Sequence, residues 1–453
     1  MPAEKCETKK SRYIMKKVLF WFRNDLRLHD HEWISKFAVQ ADAFLPVYCF
    51  NPDDFTKDLL GFDRVGVHRR KFLLESVWAL KRKLQEKGSD LYISWGKPQD
   101  VIPALAAQFN PDYIGFEKEI AWEEQQTEIR VVNAINNRWF VKTYYGKSLI
   151  HPLDLPFSIA ELPFQFTEFR KLIEKNFIVR KIFDEPNHLP PWSKEIKKNT
   201  GLSQLPQWLI QSLHLEPTMY SFHGGEDAAI HRMNEYFWNK KYLANYKQTR
   251  NNLLGTEYSS RLSPWLSIGS LSPRKVYYEI KRFEETVISN ESTYWLIFEL
   301  LWRDFFRWVA WKHGVKIFHE NGINGRRINK SGTINDFKRW TNGETGVPLI
   351  DACMVELKQT GFLSNRGRQV VASYLIHDLK CDWRWGARWF ESQLVDYDVC
   401  SNWGNWMYLA GVGNDTRKNR YFNIRKQTEK YDPQGVYVQT WLKNREPYAV
   451  DRN

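Results

Sequence analysis

Residues 361–422 read GFLSNRGRQVVASYLIHDLKCDWRWGARWFESQLVDYDVCSNWGNWMYLAGVGNDTRKNRYF. Asn365, Arg366, Arg368, Trp383, Asp396, Asp398, Asn402, Trp406, Tyr408 and Arg420 crowd into this one tract of helical periodicity. Aromatics, arginines and acids alternate too densely for an ordinary core. An apolar pocket that must also hold a charged, ring-bearing ligand needs such a mixture, and the tract is read as the floor of a flavin site. Gly361 is placed to close a helix over 348–360 and Asp382 to cap one over 383–394.

Working outward, helical periodicity runs back from this tract to Gly224 and Gly225. It predicts further helices over 226–243, 273–284, 293–313 and 365–378. Residues 148–225 differ. Pro152, Pro156, Pro163, Pro186, Pro190, Pro191, Pro206 and Pro217 break long elements there, so a connector is expected. Before it, apolar runs at 18–22, 44–50, 91–95, 113–116 and 141–145 alternate with amphipathic stretches at 69–86, 98–109 and 121–136. That alternation predicts a Rossmann-like, doubly wound parallel sheet. The fold class is therefore α/β plus all-α: an α/β domain over 1–147, a connector over 148–222 and a helical domain over 223–453. Neither GxGxxG nor GxxxxGK[ST] occurs, so any cofactor on the sheet binds by another route.

The chain has 453 residues, a net charge of +13, 15% aromatic content and 21 Trp. Two domains are expected from length. The basic balance favours polyanions, nucleic acid above all, although a merely basic soluble protein fits the charge as well. No run of about 18 apolar residues suggests a membrane span. Five cysteines (Cys6, Cys49, Cys353, Cys381 and Cys400) lack CxxC spacing, which argues against zinc or a disulfide framework and for a reducing, cytoplasmic setting. The Lys-rich residues 1–14, with Met15 as an alternative start, are expected to be an irregular terminus rather than a targeting leader.

Two further constellations carry chemistry. Glu299, Trp302 and Arg303 share one helix face. They suit a wall on which a heteroaromatic ring stacks, its imide edge meets an acid and a phosphate meets a guanidinium. A core Trp beside an exposed ion pair is the alternative. Tyr246-Lys-Gln-Thr-Arg250 followed by Ser259-Ser-Arg-Leu-Ser263 supplies hydroxyls and backbone amides suited to a diphosphate. Such turns also simply cap helices.

Four motifs, in order, resemble the cryptochrome/photolyase family: Trp21-Phe-Arg-Asn-Asp-Leu-Arg-Leu-His-Asp30, Ser259-Ser-Arg-Leu-Ser-Pro-Trp-Leu-Ser-Ile-Gly269, Gly361-Phe-Leu-Ser-Asn-Arg-Gly-Arg-Gln369 and Asp396-Tyr-Asp-Val-Cys-Ser-Asn-Trp-Gly-Asn-Trp406. Gln369 after the Arg pair and Tyr408 after Trp406 resemble the DASH branch. The resemblance implies FAD in the helical domain. It places Tyr246, Ser259, Ser260, Leu262, Ser263, Arg303, Arg368, Asp396, Asp398 and Asn402 at cofactor-contacting positions, with Asn402 facing flavin N5. It places Glu299, Trp302, Asn365, Arg366, Gln369 and Tyr408 at lesion-facing positions, with Trp302 and Tyr408 sandwiching a flipped pyrimidine dimer. Trp406 and Trp383 match the proximal and middle members of an electron relay whose distal position falls on Lys330, and Trp340, Trp403 or a surface Tyr could substitute. Glu119, with Glu123 and Glu124, matches the acids presented to a 5,10-methenyltetrahydrofolate antenna; an ordinary acidic helix start is the alternative.

The activity so implied is light-dependent repair of cyclobutane pyrimidine dimers by electron transfer from excited reduced FAD. It is expected mainly in single-stranded DNA, because polar Gln369 and Tyr408 grip a flipped base weakly, with weaker duplex or RNA binding and a monomeric state. A blue-light photoreceptor without significant repair is the second reading, and the short stretch after Trp441 weighs against it. A regulator that uses only its basic surface is a third, and it leaves Glu299 and Trp302 without a purpose.

Overall fold

The computed structural model describes residues 17–192, 196–197, 201–415 and 420–443. The 1–14 terminus, Cys6 and Met15 lie outside them.

Five strands, β1 (Lys17–Phe22), β2 (Ala43–Phe50), β3 (Tyr92–Trp95), β4 (Tyr113–Glu117) and β5 (Phe140–Tyr144), form a wholly parallel sheet in the order β3-β2-β1-β4-β5. Successive side chains point to opposite faces. In β1, Val18, Phe20 and Phe22 enter the core shared with the helical part, whereas Leu19 and Trp21 pack under the helices Pro98–Phe109 and Trp122–Ile135. Both faces are covered, as a parallel sheet requires. Pro46 lies inside β2, where a missing N–H would normally break a ladder. β3 begins to pair only at Val47, so no bond is forfeited on that side. The order reverses between β1 and β4, and ligands of doubly wound sheets bind at the carboxyl ends beside such a switch.

In the connector, one expectation fails. The helix Phe166–Lys175 forms after Pro163, and its Phe166, Phe169 and Ile173 are buried on the long helix Glu291–His313. Beyond it the helices largely follow the predicted ranges: Pro273–Thr286, Pro348–Thr360 and Trp383–Gln393, with Gly361 at a positive φ and Asp382 accepting from the Arg384 amide. Two expected helices are interrupted. The first is α-helical over Glu226–Asn234 and widens to a π turn over Glu235–Asn239, burying both Tyr236 and Phe237; Lys241 at φ +52° then ends it. The second is α-helical over Asn365–Ser373 and π over Tyr374–Asp378. Val399–Leu409 supplies a further helix.

Buried polar links bind the loops after β1 to the helical part. Arg274 grips Asp30 through two bonds of 2.9 and 2.7 Å, and the Leu28 amide donates to Glu226 at 2.9 Å. Asp304 on the long helix accepts the Leu149 and Ile150 amides at 3.1 and 2.8 Å. Among the described residues, no helix is long and apolar enough to cross a membrane. Cys49, Cys353, Cys381 and Cys400 are buried free thiols.

Candidate active site

The helices Asn365–Ser373, Trp383–Gln393 and Val399–Leu409 wall a cleft of about 540 Å³ lined by Asn365, Arg368, Gln369, Phe390, Leu394, Asp396, Asp398, Asn402, Asn405 and Trp406. Close packing builds this wall: a Cβ on Gly386 would lie 2.2 Å from the Trp406 ring, so only glycine lets the second and third helices approach this far. Arg368 reaches both Asp396 oxygens at 3.0 and 2.9 Å and donates from Nε to the Leu363 carbonyl at 2.8 Å. The Ser263 hydroxyl donates to the same carboxylate at 2.6 Å, which ties the Ser259–Ser263 turn to the cleft floor. Asp398 caps its helix by accepting the Ser401 amide at 2.8 Å. Burial alone would raise the Asp398 carboxyl, but Lys147, Arg303 and Arg307 outweigh it and hold the group below its ordinary value. The Asn402 amide donates to the Ala387 carbonyl at 3.0 Å, which fixes the side chain's orientation at the cleft surface.

The turn is held from behind by Arg232, which spacing did not single out, and by its own Arg261. Arg232 donates to the carbonyls of Thr256, Ser259 and Ser260 at 2.7, 3.1 and 3.0 Å. Arg261, at φ +53°, is buried, donates to the Gly255 carbonyl at 2.8 Å and lies 4.4 Å over the Tyr220 ring. Leu262 and Tyr246 are buried beside the turn. Arg303 turns away from it and bonds the Lys147 and Leu266 carbonyls. The group implied by the resemblance fits these residues. An aromatic wall of Phe390 and Trp406, an oriented amide and a guanidinium–carboxylate pair match a flat heterocycle with a polar edge.

Of the residues expected to face a lesion, Asn365 and Gln369 line the cleft. Arg366 bonds Asn251 at 3.3 Å and lies over Phe422 and Tyr431. Glu299 is ion-paired with Arg250, and burial raises its carboxyl despite that partner. Trp302 and Tyr408 meet edge to face with centroids 5.6 Å apart at 75°. A sandwich needs parallel rings about 7 Å apart, twice a van der Waals separation, so the expected arrangement is closed here. Trp302 is stacked on Phe166 at 3.7 Å and 11°, a partner supplied by the connector helix. Arg420 lies 4.0 Å over the Tyr408 ring and also bonds its hydroxyl and the Asp415 carboxylate. Phe166 and Arg232 carried no local signal, and the pairing of Arg250 with Glu299 carried none either, because each finds its partner across many residues of chain.

Trp406 and Trp383 are both buried. Lys330 pairs with Glu320 and Asp382 at 2.8 and 3.1 Å, and the Trp383 indole donates to the Glu320 carbonyl at 3.0 Å. The position that the resemblance gives to a third relay member thus holds an ion-paired cation, Lys330, bonded to the residue before Trp383. Trp340 lies 6.3 Å from Trp406 and Trp403 5.7 Å from Trp383. Both are buried, so neither ends a path at solvent.

A larger cleft of about 1750 Å³ opens at the carboxyl ends of β1 and β2, lined by Arg23, Asn24, Phe50, Asn51, Arg64, Trp122, Glu123, Glu124, Lys147, Tyr397 and Asp398. Glu119 does not line it. Its carboxylate is buried against Lys147 at 2.9 Å, Asn24 at 2.8 Å and Arg307 at 3.7 Å. Glu124 does line it, and burial, with Glu119 adding repulsion, pushes its carboxyl up to about 8. Tyr397 and Asp398 line both clefts and form a shared partition.

Comparison with known proteins agrees with this geometry. The DNA photolyase domain matches residues 18–190 and the FAD binding domain of DNA photolyase residues 295–449. A cryptochrome DASH of Synechocystis sp. is 48% identical over 94% of this chain and 87% of its own length. The crystal structure of a Synechocystis cryptochrome superposes with a TM-score of 0.90 at 46% identity, covering 95% of this chain and 89% of that one. An archaeal photolyase from Sulfolobus tokodaii, solved with two FAD molecules, superposes with a TM-score of 0.77 at 26% identity over 95% of this chain and 92% of its own. A parallel sheet joined to a helical, FAD-binding domain, and identity at this level over nearly the whole length, lead to one conclusion: the chain belongs to the DASH branch of the cryptochrome/photolyase family.

Proposed function

We propose that the protein reopens cyclobutane pyrimidine dimers under light and prefers them in single-stranded DNA. The observation that carries this reading is the pair Trp302 and Tyr408, flanked by Glu299, on helices whose neighbouring residues Asn365, Gln369 and Asn402 line the cleft. Phosphate binding alone has no use for two apposed rings and a half-buried acid. Reduced flavin, when bound, supplies the electron that light sends to the dimer and takes it back once the ring has opened. Tyr246, Ser259, Ser260, Leu262, Ser263 and Arg303 would hold the cofactor's chain-side groups. Arg368, Asp396, Asp398 and Asn402 would orient its ring.

The protein's own part is to bind and polarise the lesion. Trp302, fixed by Phe166, offers one ring face, and Tyr408 moves aside to offer the other. Burial raises the Glu299 carboxyl despite its Arg250 partner, so the group would accept from a thymine imide N–H when ionised and donate to a thymine carbonyl when protonated. Arg250 holds it in place. Arg366 and Asn365 would meet the nucleic-acid side. Parting Trp302 from Tyr408 forfeits about 0.5–1.5 kcal/mol of ring contact, whereas flipping a base out of duplex costs a few kcal/mol, and a single strand avoids that larger cost.

We read the cleft at the sheet ends as the antenna site for 5,10-methenyltetrahydrofolate, with Glu124 rather than Glu119 meeting the ligand. We read the division at 147 and 222 as the domain plan, the protein as a cytoplasmic monomer, and RNA and duplex DNA as weaker ligands. The test compares repair rates of thymine dimers in single-stranded and duplex oligonucleotides under blue light with reduced protein. Fast repair of the single strand is expected. Equal rates refute the preference, and absence of repair on both favours the photoreceptor reading.

A further inference from the structure

The aromatic wall of the cleft continues into the protein as a file of rings. Trp406 lines the cleft and meets Trp340 edge to face, with centroids 6.3 Å apart at 77°. Trp340 and Phe337 are three residues apart on the helix Ile334–Asn342, so they share a face and stack at 5.9 Å and 23°. Phe337 then meets Trp385 at 5.5 Å and 56°. Trp385 follows Trp383 by two residues on the helix Trp383–Gln393, and at about 100° per residue the two indoles leave it on opposite sides. Trp383 turns to Trp403 and the Glu320 carbonyl, and Trp385 turns to Phe337. The rings along this file differ in whether they reach water. Trp340 is buried, and its indole N–H donates to the Val371 carbonyl at 3.1 Å. A side branch runs from Phe337 through Phe62 to Trp389, at 6.1 and 4.8 Å, and ends on a buried indole N–H with no acceptor. Trp385 is half-buried.

We propose that Trp385 is the terminal electron donor to a flavin in the cleft, through Phe337, Trp340 and Trp406. Electron tunnelling falls off exponentially with the gap, and aromatic pairs at these centroid distances are in contact. Light lets the oxidised flavin take one electron from Trp406. Trp340 refills Trp406, and Trp385 refills Trp340. The phenyl ring of Phe337 is too hard to oxidise to hold the vacancy itself, so it serves as a bridge, and this step sets a slow pace. An oxidised indole is a strong acid. At Trp385 it gives its N–H proton to water, which stops the electron from falling back. The flavin ends one electron richer and Trp385 ends as a neutral radical, which a small thiol in solution restores with one hydrogen atom. A vacancy on Trp340 or Trp389 has no such exit, because neither indole N–H meets water. This inference rests on the flavin reading of the cleft and not on the repair of dimers.

The test uses the full flavin-loaded chain with a small thiol as final reductant. Flavin absorbance is followed under blue light, and samples frozen during illumination are examined by electron paramagnetic resonance. Wild type should show slow reduction and the spectrum of a neutral indole radical. Trp385→Phe should lose most of the reduction and that spectrum. Trp385→Tyr carries a phenol that can be oxidised and can release its proton. It should restore reduction and replace the indole spectrum with a tyrosyl one, a change that a merely structural side chain would not produce. Trp383→Phe should keep the slow reduction. Flavin content is measured for each variant. With full flavin content, wild-type reduction and spectrum in Trp385→Phe overturn the path, as does a Tyr variant no better than Phe. Loss of the slow reduction in flavin-loaded Trp383→Phe, or no photoreduction at all in flavin-loaded wild type, overturns it too. Wild type that refuses flavin overturns the flavin reading and the path with it. Wild type that photoreduces by this path and repairs no dimer overturns the repair reading and leaves the path standing.

Discussion

At the scale of single residues, the site is governed by charges whose partners come from distant parts of the chain. Glu299 is the sharpest case. Its raised carboxyl donates a hydrogen bond only while protonated, so repair by wild type should fall as pH rises through that raised value. Glu299→Gln, which donates at every pH, should flatten the profile while lowering the rate; an unaltered pH profile in the variant would remove Glu299 from the proton inventory. The relay gives a second test. With Lys330 ion-paired at the position the family resemblance gives to the third donor, blue light should reduce oxidised flavin slowly, followed by its absorbance. Rapid reduction that survives Trp383→Phe would contradict the inherited route. Much of this was legible in the sequence, because Arg368, Asp396 and Asn402 sit in contiguous motifs. The partners of Arg250 and Arg420 were not, since an ion pair closing over 49 residues, or a cation folded back on a tyrosine, has no periodicity to betray it. Glu119 was legible as an acid after β4. Its inward turn toward Lys147 and Arg307 was not.

At the scale of elements, packing between helices decides where the site's rings stand. Gly386→Ala puts a methyl group into the space of Trp406, and neither helix can retreat without disturbing the cleft. Overpacking of this kind costs about 1–3 kcal/mol. Thermal unfolding should register that loss, together with weaker flavin retention; a stable variant with full flavin content would show that the wall tolerates movement. The connector helix Phe166–Lys175 was hidden by neighbouring prolines, yet Phe166, Phe169 and Ile173 follow helical spacing once Pro163 is read as lying before the helix rather than inside it. Phe166→Ala should cost about 3–5 kcal/mol of stability and weaken dimer binding by loosening Trp302. The π turns at Glu235–Asn239 and Tyr374–Asp378 follow from tertiary packing of aromatic side chains, which no local propensity encodes.

At the scale of the whole molecule, two parts of very different architecture act as one because buried ionic links span the sequence. Glu226 shows the consequence. Burial by itself would raise its carboxyl, but His29, Lys83 and the Leu28 amide outweigh it and pull it down to about 2 from an ordinary value of 4.5. A depressed carboxyl contributes stability above its unfolded value, and that contribution is lost as pH falls from about 4.5 toward about 2. Acid unfolding, monitored by release of flavin fluorescence, should therefore fall in this window. Glu226→Gln should shift it and cost about 3 kcal/mol at neutral pH; an unshifted acid limb would show that the link between the sheet and the helices is not ionic. The parallel, doubly wound character of the sheet and the helical wall were legible from alternation and period; the strand order was not. How the two parts are fastened was not, because Asp30, Glu226 and Arg274 look like ordinary surface charges in one dimension.

The central claim is that the cleft, once loaded, serves a lesion site that forms when Trp302 and Tyr408 part. Flavin-loaded, chemically reduced protein is mixed with dimer-bearing oligothymidine, and thymine absorbance is followed in darkness and then under blue light. Absorbance should recover only under illumination and only with reduced cofactor, and Trp302→Ala should abolish most of the recovery. A flat trace in the light with reduced, loaded protein, or equal recovery in darkness, would contradict the account.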